Sequence, residues 1–229
     1  MSGPYPTYAY SYTVGRPLAA THRTSTSPTE LTHLAIAFVV LTVDLVLILR
    51  YLAFLNGSLL LLTTLAASSA LTGFLAHEMA HKLSAQRRGY WAEFRLSPFG
   101  LIISLLTAAA GFLFAAPGAT MIGGMANPQD WGRTSLAGPV TNFAFGMVFF
   151  SASLVTAAIP AQAWLAPVLL FLAFINGWFA AFNMIPFGPL DGAKVLRWSR
   201  STWAVSFVIF AAMAGLLYYL VTFGVVLRV

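Results

Sequence analysis

The chain has 229 residues, of which 59% are hydrophobic and only 8% are charged, and its formal net charge is +6. A soluble domain typically carries about 25% charged residues, so this chain cannot cover a water-facing surface and is not an ordinary soluble protein. Its apolar stretches are long enough to cross a hydrocarbon layer of about 30 Å, which takes about 20 helical residues. We therefore expect an all-α, multi-pass integral membrane protein that sits in a lipid bilayer.

The basic residues and the absence of cysteine exclude further classes. The Lys and Arg residues lie at the ends of the apolar stretches rather than on one soluble face, so membrane topology explains them better than nucleic-acid binding. Because the chain has no cysteine, disulfides and thiolate chemistry are excluded. Any bound metal must therefore use nitrogen and oxygen ligands.

The N-terminal residues are rich in Tyr, Ser, Thr, Pro and Gly and show no periodic apolar pattern. We expect a mobile tail over residues 1–32, with a helix start near Ser27 or Thr29. A single transmembrane domain is expected over 33–229, with its core at 59–200. The tail contains no apolar leader, so insertion is expected to rely on the first membrane helix.

About five membrane spans are predicted, at 34–54, 59–83, 133–159, 163–184 and 203–227. The tight turn Asn56-Gly57-Ser58 separates the first two. Asp44 lies in the middle of the first span, where a charge is costly in lipid, so we expect it to face a structural partner inside the protein.

The segment between the second and third spans breaks the helical pattern. Pro117-Gly118 lies between two short apolar stretches and is typical of a hairpin turn. We expect a small region of strands and loops at membrane depth, which is tolerated only against protein or a wet cavity. A short sixth span over 101–114 is the alternative.

The charge distribution favours five spans. With the N-terminus inside, all of the 12 Lys and Arg except Arg50 and Arg228 fall on the cytoplasmic side. A sixth span would divide the basic clusters between the two sides. We therefore expect the N-terminus and the end that carries the motif described next to be cytoplasmic, in a prokaryotic cell membrane.

The motif His77-Glu78-Met79-Ala80-His81 follows the uncharged apolar run at 59–76. A helix turns about 100° per residue, so His77 and His81 lie one turn apart on the same face. Two such imidazoles can bind one Zn²⁺, and Glu78 beside them is a candidate base. The motif is familiar from soluble metalloproteases, but here it falls within a predicted membrane helix.

A catalytic zinc usually takes three protein ligands and one water, so a third ligand is needed. The remaining candidates are histidines and acids: His22, His33, Glu30, Asp44, Glu93, Asp130 and Asp191. Asp191 is the best of these, because it follows a proline-rich helix break at the cytoplasmic end of the fourth span. A turn of that kind can direct a carboxylate back into the bundle.

The motifs together resemble the site-2 protease family of intramembrane zinc metalloproteases. His77-Glu78-x-x-His81 lies in a predicted span, and Asn183-Met184-Ile185-Pro186 and Pro189-Leu190-Asp191-Gly192 follow later in the chain. The resemblance covers roughly residues 59–200. Gly138-Pro139 and Asn142 match a further family feature of the third span.

The resemblance implies one catalytic zinc ion and an enzyme that cuts a transmembrane protein substrate within or near its membrane segment. It implies that His77, His81 and Asp191 are the zinc ligands and that Glu78 is the general base and acid. Asn183 would steady the oxyanion or the substrate backbone. Asn142 would have a supporting role toward the substrate or the oxyanion.

Other interpretations remain open at this point. The same ligands could hold zinc in a membrane transporter or sensor without hydrolysis, and Glu78 substitutions would distinguish the two because a transporter should keep its metal flux. Asn142, Asn176 and Asn183 could each form plain hydrogen bonds between helices. The irregular 94–124 segment could bind an extended substrate by strand addition.

Overall fold

The computed structural model describes residues 25–51, 58–112, 117–124 and 127–224. The predicted tail up to residue 24, the end of the first predicted span at 52–54, residues 56–57 of the predicted turn and the end of the fifth predicted span at 225–227 lie outside the described residues.

The described chain is mainly helical, with one small sheet. In chain order the elements are α1 (Pro28–Tyr51), α2 (Leu59–Ser69), a π-helical turn (Ala70–Leu75), α3 (Ala76–Gln86), β1 (Trp91–Leu96), α4 (Pro98–Ala109), β2 (Gly118–Gly123), α5 (Pro128–Ala157), a 3-10 segment (Pro160–Leu165), α6 (Ala166–Asn183), α7 (Asp191–Trp198) and α8 (Arg200–Phe223).

Five helical stretches in the described residues are long and apolar enough to cross a membrane: Pro28–Arg50, Leu59–Gln86, Pro128–Ala157, Pro160–Asn183 and Arg200–Phe223. The predicted class, a polytopic helical membrane protein with five spans and a small sheet between the second and third, is therefore confirmed. The second span is continuous, but the π-helical turn separates α2 from the helix that carries the histidines.

The prediction for residues 101–114 was wrong in its local structure. Strands and loops were expected, but residues 98–109 form α4, which Ser97 caps through the N–H of Gly100 and which has proline in its first turn. The helix has 12 residues, so it is too short to be a sixth span.

The predicted hairpin turn at Pro117-Gly118 was also wrong. Gly118 is the first residue of β2, and this strand pairs antiparallel with β1 in a register that sets Phe94 opposite Thr120. Helix α4 is inserted between the two strands, so the sheet is closed by a helix rather than by a tight turn.

The predicted start of the first helix is confirmed. Helix α1 begins at Pro28, so residues 28–32 are helical, and the Ser27 hydroxyl accepts a hydrogen bond from the N–H of Glu30 as the predicted cap. Further along α1, Asp44 is fully buried, and neither of its carboxylate oxygens has a hydrogen-bond partner among the described residues. Ser104 on α4 lies near this carboxylate, but its hydroxyl donates to the carbonyl oxygen of Leu101 at 3.0 Å.

A buried ion pair joins three elements at one end of the bundle. Glu30 is 0% exposed and Lys82 is 3% exposed, and their charged atoms are 2.5 Å apart. The other carboxylate oxygen of Glu30 accepts a hydrogen bond of 3.0 Å from the N–H of Phe94. The start of α1, the end of α3 and strand β1 are therefore held together next to His81.

We expect Lys82→Met or Glu30→Gln to lower the free energy of unfolding by about 3–5 kcal/mol each, because each leaves one buried charge without its partner. The double variant should lose clearly less free energy of unfolding than the two single variants together. It buries no charge, and the new amide oxygen at position 30 can still accept a hydrogen bond from the N–H of Phe94. Denaturant unfolding in detergent micelles measures this. The control is Arg88→Ala, which breaks the partly exposed pair with Asp130 and should change stability by less than about 1 kcal/mol. Additive losses would contradict the buried pair.

Candidate metal centre

Helix α3 presents His77 and His81 to α5 and α7. Both imidazoles are buried, and their Nε2 atoms are 3.0 Å apart. The Oδ2 atom of Asp191 lies 3.2 Å from Nε2 of His77 and 3.0 Å from Nε2 of His81. The first residue of α7 therefore meets two residues of α3 that lie more than 100 positions earlier in the chain.

The groups behind the two rings determine which nitrogen faces the centre. Nδ1 of His81 is 2.8 Å from the carbonyl oxygen of Thr134, and Nδ1 of His77 contacts the side-chain oxygen of Asn142. Both oxygens are acceptors, so each neutral ring keeps its proton on Nδ1 and turns the lone pair of Nε2 toward Asp191.

The local sequence of residues 184–192 positions Asp191. Pro186 and Pro189 prevent α6 from continuing, and α7 starts at Asp191 itself. A Cβ at Gly192 would lie 2.1 Å from the carbonyl oxygen of Met184, so only glycine allows the first turn of α7 to pack on the end of α6. The predicted turn is thus a helix start that directs the carboxylate inward.

Lys194 holds the outer oxygen of the same carboxylate. Its Nζ atom is 3.1 Å from Oδ1 of Asp191, while Oδ2 faces the histidines. Burial alone would raise the pKa of Asp191, but interactions with His81, Lys194 and His77 outweigh it and hold the pKa well below its usual range. The carboxylate is therefore ionised at neutral pH and available as a ligand.

The three ligand atoms fit a tetrahedral metal. Ligands bound at about 2.0–2.1 Å in tetrahedral geometry are about 3.3 Å from one another, close to the observed separations of 3.0–3.2 Å. Two lone pairs and one carboxylate that face a common point repel each other unless a cation lies between them. Nitrogen and oxygen donors in this number suit zinc.

Gly138 on α5 leaves the space in which such an ion would lie. A Cβ at this position would be 2.5 Å from Nε2 of His81 and 2.6 Å from Nε2 of His77. Any larger residue would therefore occupy the side of the centre that faces α5.

Glu78 lies beside the histidines and is held by the sheet. Its Oε2 atom accepts hydrogen bonds from the N–H of Thr120 at 2.9 Å and from the Thr120 hydroxyl at 2.8 Å. Thr120 was missed from the sequence, because an isolated threonine in an irregular segment carries no signal. The carbonyl group of Thr134 was missed as well, because a hydrogen bond from a side chain to the backbone leaves no pattern in the sequence.

A cavity of about 200 Å³ opens at the centre and is lined by His77, Glu78, His81, Thr120, Asn183 and Asp191, with aromatic side chains of Trp131, Trp178, Phe179 and Phe182. Asn183 therefore lies where a molecule in the cavity can reach it. One of its amide protons is donated to the carbonyl oxygen of Phe179 at 3.0 Å.

Asn142 is placed differently from the expectation. It is fully buried and lies behind His77, so its contacts are with the ligand ring and the helix backbone rather than with the cavity. A role toward a substrate or an oxyanion does not match this position.

The other candidate ligands are engaged elsewhere. Glu30 pairs with Lys82, Glu93 with Arg95, and Asp130 with Arg88, while His33 accepts a hydrogen bond from the N–H of Leu96. Asp44 is buried against α4, and His22 lies outside the described residues. Within the described part of the chain, His77, His81 and Asp191 form the one cluster with metal-ligand geometry.

Five apolar spans around a buried His-His-Asp cluster define an integral membrane protein with a metal-binding arrangement. Comparison with known proteins agrees. Over 136 residues the chain is 39% identical to "Putative zinc metalloprotease MJ0611" of Methanocaldococcus jannaschii, a match that covers 58% of this chain and 70% of that protein.

A second relative is more distant. The chain is 32% identical over 149 residues to "Putative zinc metalloprotease Rip3" of Mycobacterium tuberculosis, which covers 63% of this chain and 34% of the relative, so the match spans about a third of that protein. No family profile matches the chain, and no solved structure does. The chain belongs to the family of these zinc metalloproteases, the site-2 protease family that its motifs resemble.

We expect Gly138→Ala to abolish or strongly weaken zinc binding, because the added methyl group would lie within about 2.6 Å of both Nε2 atoms. Metal analysis of the purified protein measures this. Gly146→Ala is the matched control on the same helix, since its Cβ would meet the flexible end of the Met213 side chain at 2.8 Å. If Gly138→Ala folded and kept its full zinc content, the metal would not lie between these rings.

Proposed function

We propose that this protein is an intramembrane zinc endopeptidase, which hydrolyses a peptide bond within or near a transmembrane segment of a membrane-protein substrate. The observation that carries the proposal is the convergence of two imidazole lone pairs and a carboxylate beside Glu78, at the end of a membrane-spanning helix. His77, His81 and Asp191 would hold the metal, and the zinc metalloprotease names of the relatives support the same chemistry.

When bound, the metal supplies Lewis-acid polarisation of a substrate carbonyl and activation of a water molecule. The protein's own groups handle the proton. Glu78 would accept a proton from the attacking water on Oε1 and deliver it to the leaving amine. Its other oxygen, Oε2, is held by Thr120, so the carboxylate has a fixed direction.

Asn183 would act on the substrate. It lines the cavity, and one of its two amide protons is not used by the hydrogen bond to Phe179. Donation of that proton to the developing oxyanion or to a substrate carbonyl would contribute a few kcal/mol, as donors in comparable sites do. The aromatic wall formed by Trp178, Phe179 and Phe182 favours apolar substrate side chains next to the cleaved bond.

An extended substrate would bind along the outer edge of β2. The opposite edge of the sheet is closed, because the N–H groups of Phe94 and Leu96 bond to Glu30 and His33 of α1. Thr120 faces away from β1, since its N–H reaches Glu78. The backbone groups of 118 and 122 and the carbonyl group of 120 therefore line one edge next to the cavity and suit strand addition, while the N–H of 120 is taken by Glu78.

The proposed orientation in the membrane rests on the distribution of basic residues. The end of the bundle that contains the centre also carries Lys82, Arg87, Arg88, Arg133 and Lys194. A basic excess marks the cytoplasmic side of a membrane protein, so the catalytic end and the start of α1 would face the cytoplasm. The relatives come from an archaeon and a bacterium, in agreement with a prokaryotic cell membrane.

We expect Glu78→Gln to lose hydrolysis by at least about 100-fold, the lower end of what a general base contributes, while it keeps the zinc content of the wild type. Proteolysis of a fluorogenic apolar peptide in proteoliposomes and metal analysis of the same samples measure both. Asp191→Ala is the control, since it should lose metal and activity together. Zinc flux across the liposome that persists in Glu78→Gln, without peptide cleavage in the wild type, would instead indicate a transporter.

We expect Ile122→Pro to slow cleavage without loss of zinc, because it removes an outward N–H from the proposed binding edge and leaves the pairing with β1 intact. Ile122→Val keeps the N–H group and is the matched control. The measurement is kcat/KM for peptide cleavage, together with zinc content. Equal cleavage by the proline and valine variants would rule out strand addition at this edge.

A further inference from the structure

A chain of buried amides connects His77 to two other helices. Asn142 on α5 and Asn176 on α6 are both 0% exposed, and the side-chain amide of Asn142 donates to Oδ1 of Asn176 at 3.3 Å. Asn176 in turn donates to the hydroxyl of Thr72 at 2.9 Å. These amides lie behind the ring of His77, on the side away from the cavity.

Two backbone carbonyls fix the direction of the chain. The carbonyl oxygen of Leu172 accepts from Nδ2 of Asn176 at 2.9 Å, so Oδ1 of Asn176 must face Asn142. The carbonyl oxygen of Gly73 accepts from Nδ2 of Asn142 at 2.9 Å, so the amide nitrogen of Asn142 is turned away from His77. A carbonyl group can only accept a hydrogen bond. If either side-chain amide were rotated by 180°, its oxygen would face a backbone carbonyl oxygen and the hydrogen bond would be lost.

The orientation of Asn142 decides where His77 carries its proton. Its Oδ1 atom is an acceptor and contacts Nδ1 of His77, so that nitrogen must be the protonated one. Nε2 is then left with its lone pair directed at His81 and Asp191. In the alternative tautomer, the lone pair of Nδ1 would face the lone pair of Oδ1 of Asn142, which is repulsive. The proton would then be on Nε2, where the metal would bind.

The π-helical turn Ala70–Leu75 supplies the acceptors that the amide chain uses on the side of the second span. Here the N–H of Ala76 donates to the carbonyl oxygen of Leu71, five residues earlier, whereas an α-helical N–H donates to the carbonyl four residues earlier. Such single π turns occur frequently at functional sites, because they change the direction of the residues that follow and of their carbonyl groups. Thr72 and Gly73 lie inside this turn, and both contribute acceptors to the amide chain.

We propose that Asn142, Asn176 and the π-helical turn act together as a tautomer selector, which keeps Nε2 of His77 free to bind the metal. Asn142 is the positioning residue that touches the ring, and Asn176 acts through Asn142. This proposal rests on the proposed function for the identity of the metal as zinc. The tautomer of His77 follows from the hydrogen bonds alone. Partners of this kind, which hold the far nitrogen of a ligand histidine, typically change metal affinity by about 10–100-fold.

The first test measures zinc affinity by competition with a chromophoric chelator in detergent. Asn142→Leu should weaken zinc binding by about 10–100-fold, and Asn176→Leu should weaken it in the same direction although it does not touch His77. Asn142→Asp keeps an acceptor at Nδ1 and should stay closer to the wild type than Asn142→Leu. Ser153→Ala is the matched control, because it removes a buried hydrogen bond between residue 153 and Ala166 away from the centre.

The second test observes the tautomer itself. Nitrogen-15 spectra of histidine-labelled, metal-free protein at alkaline pH should show His77 protonated on Nδ1 in the wild type and in Ser153→Ala. A second population protonated on Nε2 should appear in Asn176→Leu. A purely structural role for Asn176 would lower the melting temperature without this second population.

The outcomes separate the two proposals. A wild-type protein that binds no zinc but shows the expected tautomers would refute the proposed function and leave the selector standing. Wild-type zinc affinity in both leucine variants, or an equal loss in Ser153→Ala, would overturn the selector. So would a single unchanged His77 tautomer in Asn176→Leu.

Discussion

The meeting of His77, His81 and Asp191 is the constraint on which the rest of this structure depends. Three lone-pair atoms lie within 3.0–3.2 Å of one another in a buried position. Such an arrangement is unfavourable in the absence of a cation, and its neighbours maintain it. Gly138 leaves the space, Gly192 allows the close approach of α7, and Lys194 balances the outer oxygen of the carboxylate. The centre is thus held by contacts from several helices rather than by the motif alone.

The sheet and the first helix support the same region from the other side. Thr120 holds Glu78, the register pairs Thr120 with Phe94, and the N–H of Phe94 bonds to Glu30. Glu30 in turn forms an ion pair with Lys82 of α3, the residue that follows His81. The two ends of the histidine motif are therefore tied together through a strand pair and α1. This explains why a segment with no strong sequence pattern still has a defined structure.

Much of this arrangement could be predicted from the sequence, for reasons that differ between elements. The five spans follow from hydrophobic length, and the pairing of His77 with His81 follows from helical spacing. Asp191 could be selected because the prolines before it end a helix at the right depth. The helix at 98–109 was missed because its short apolar run has no periodicity that separates helix from strand. The sheet was only located approximately, since its strands are separated by that helix. The π-helical turn and the carbonyl group behind His81 have no side-chain signature, so sequence could not show them.

The separation of the ligands along the chain has a consequence for biosynthesis. His77 and His81 enter the membrane with the second span, whereas Asp191 follows the fourth, so the ligand set is incomplete until α7 has been made. A nascent chain that stops before α7 presents only two imidazoles, and the glycine that makes room for the ion is on α5. The centre can therefore form only after α5 and the start of α7 have packed against α3. A partly made chain would lack the complete ligand set, so it could not hold the metal that the proposed hydrolysis requires.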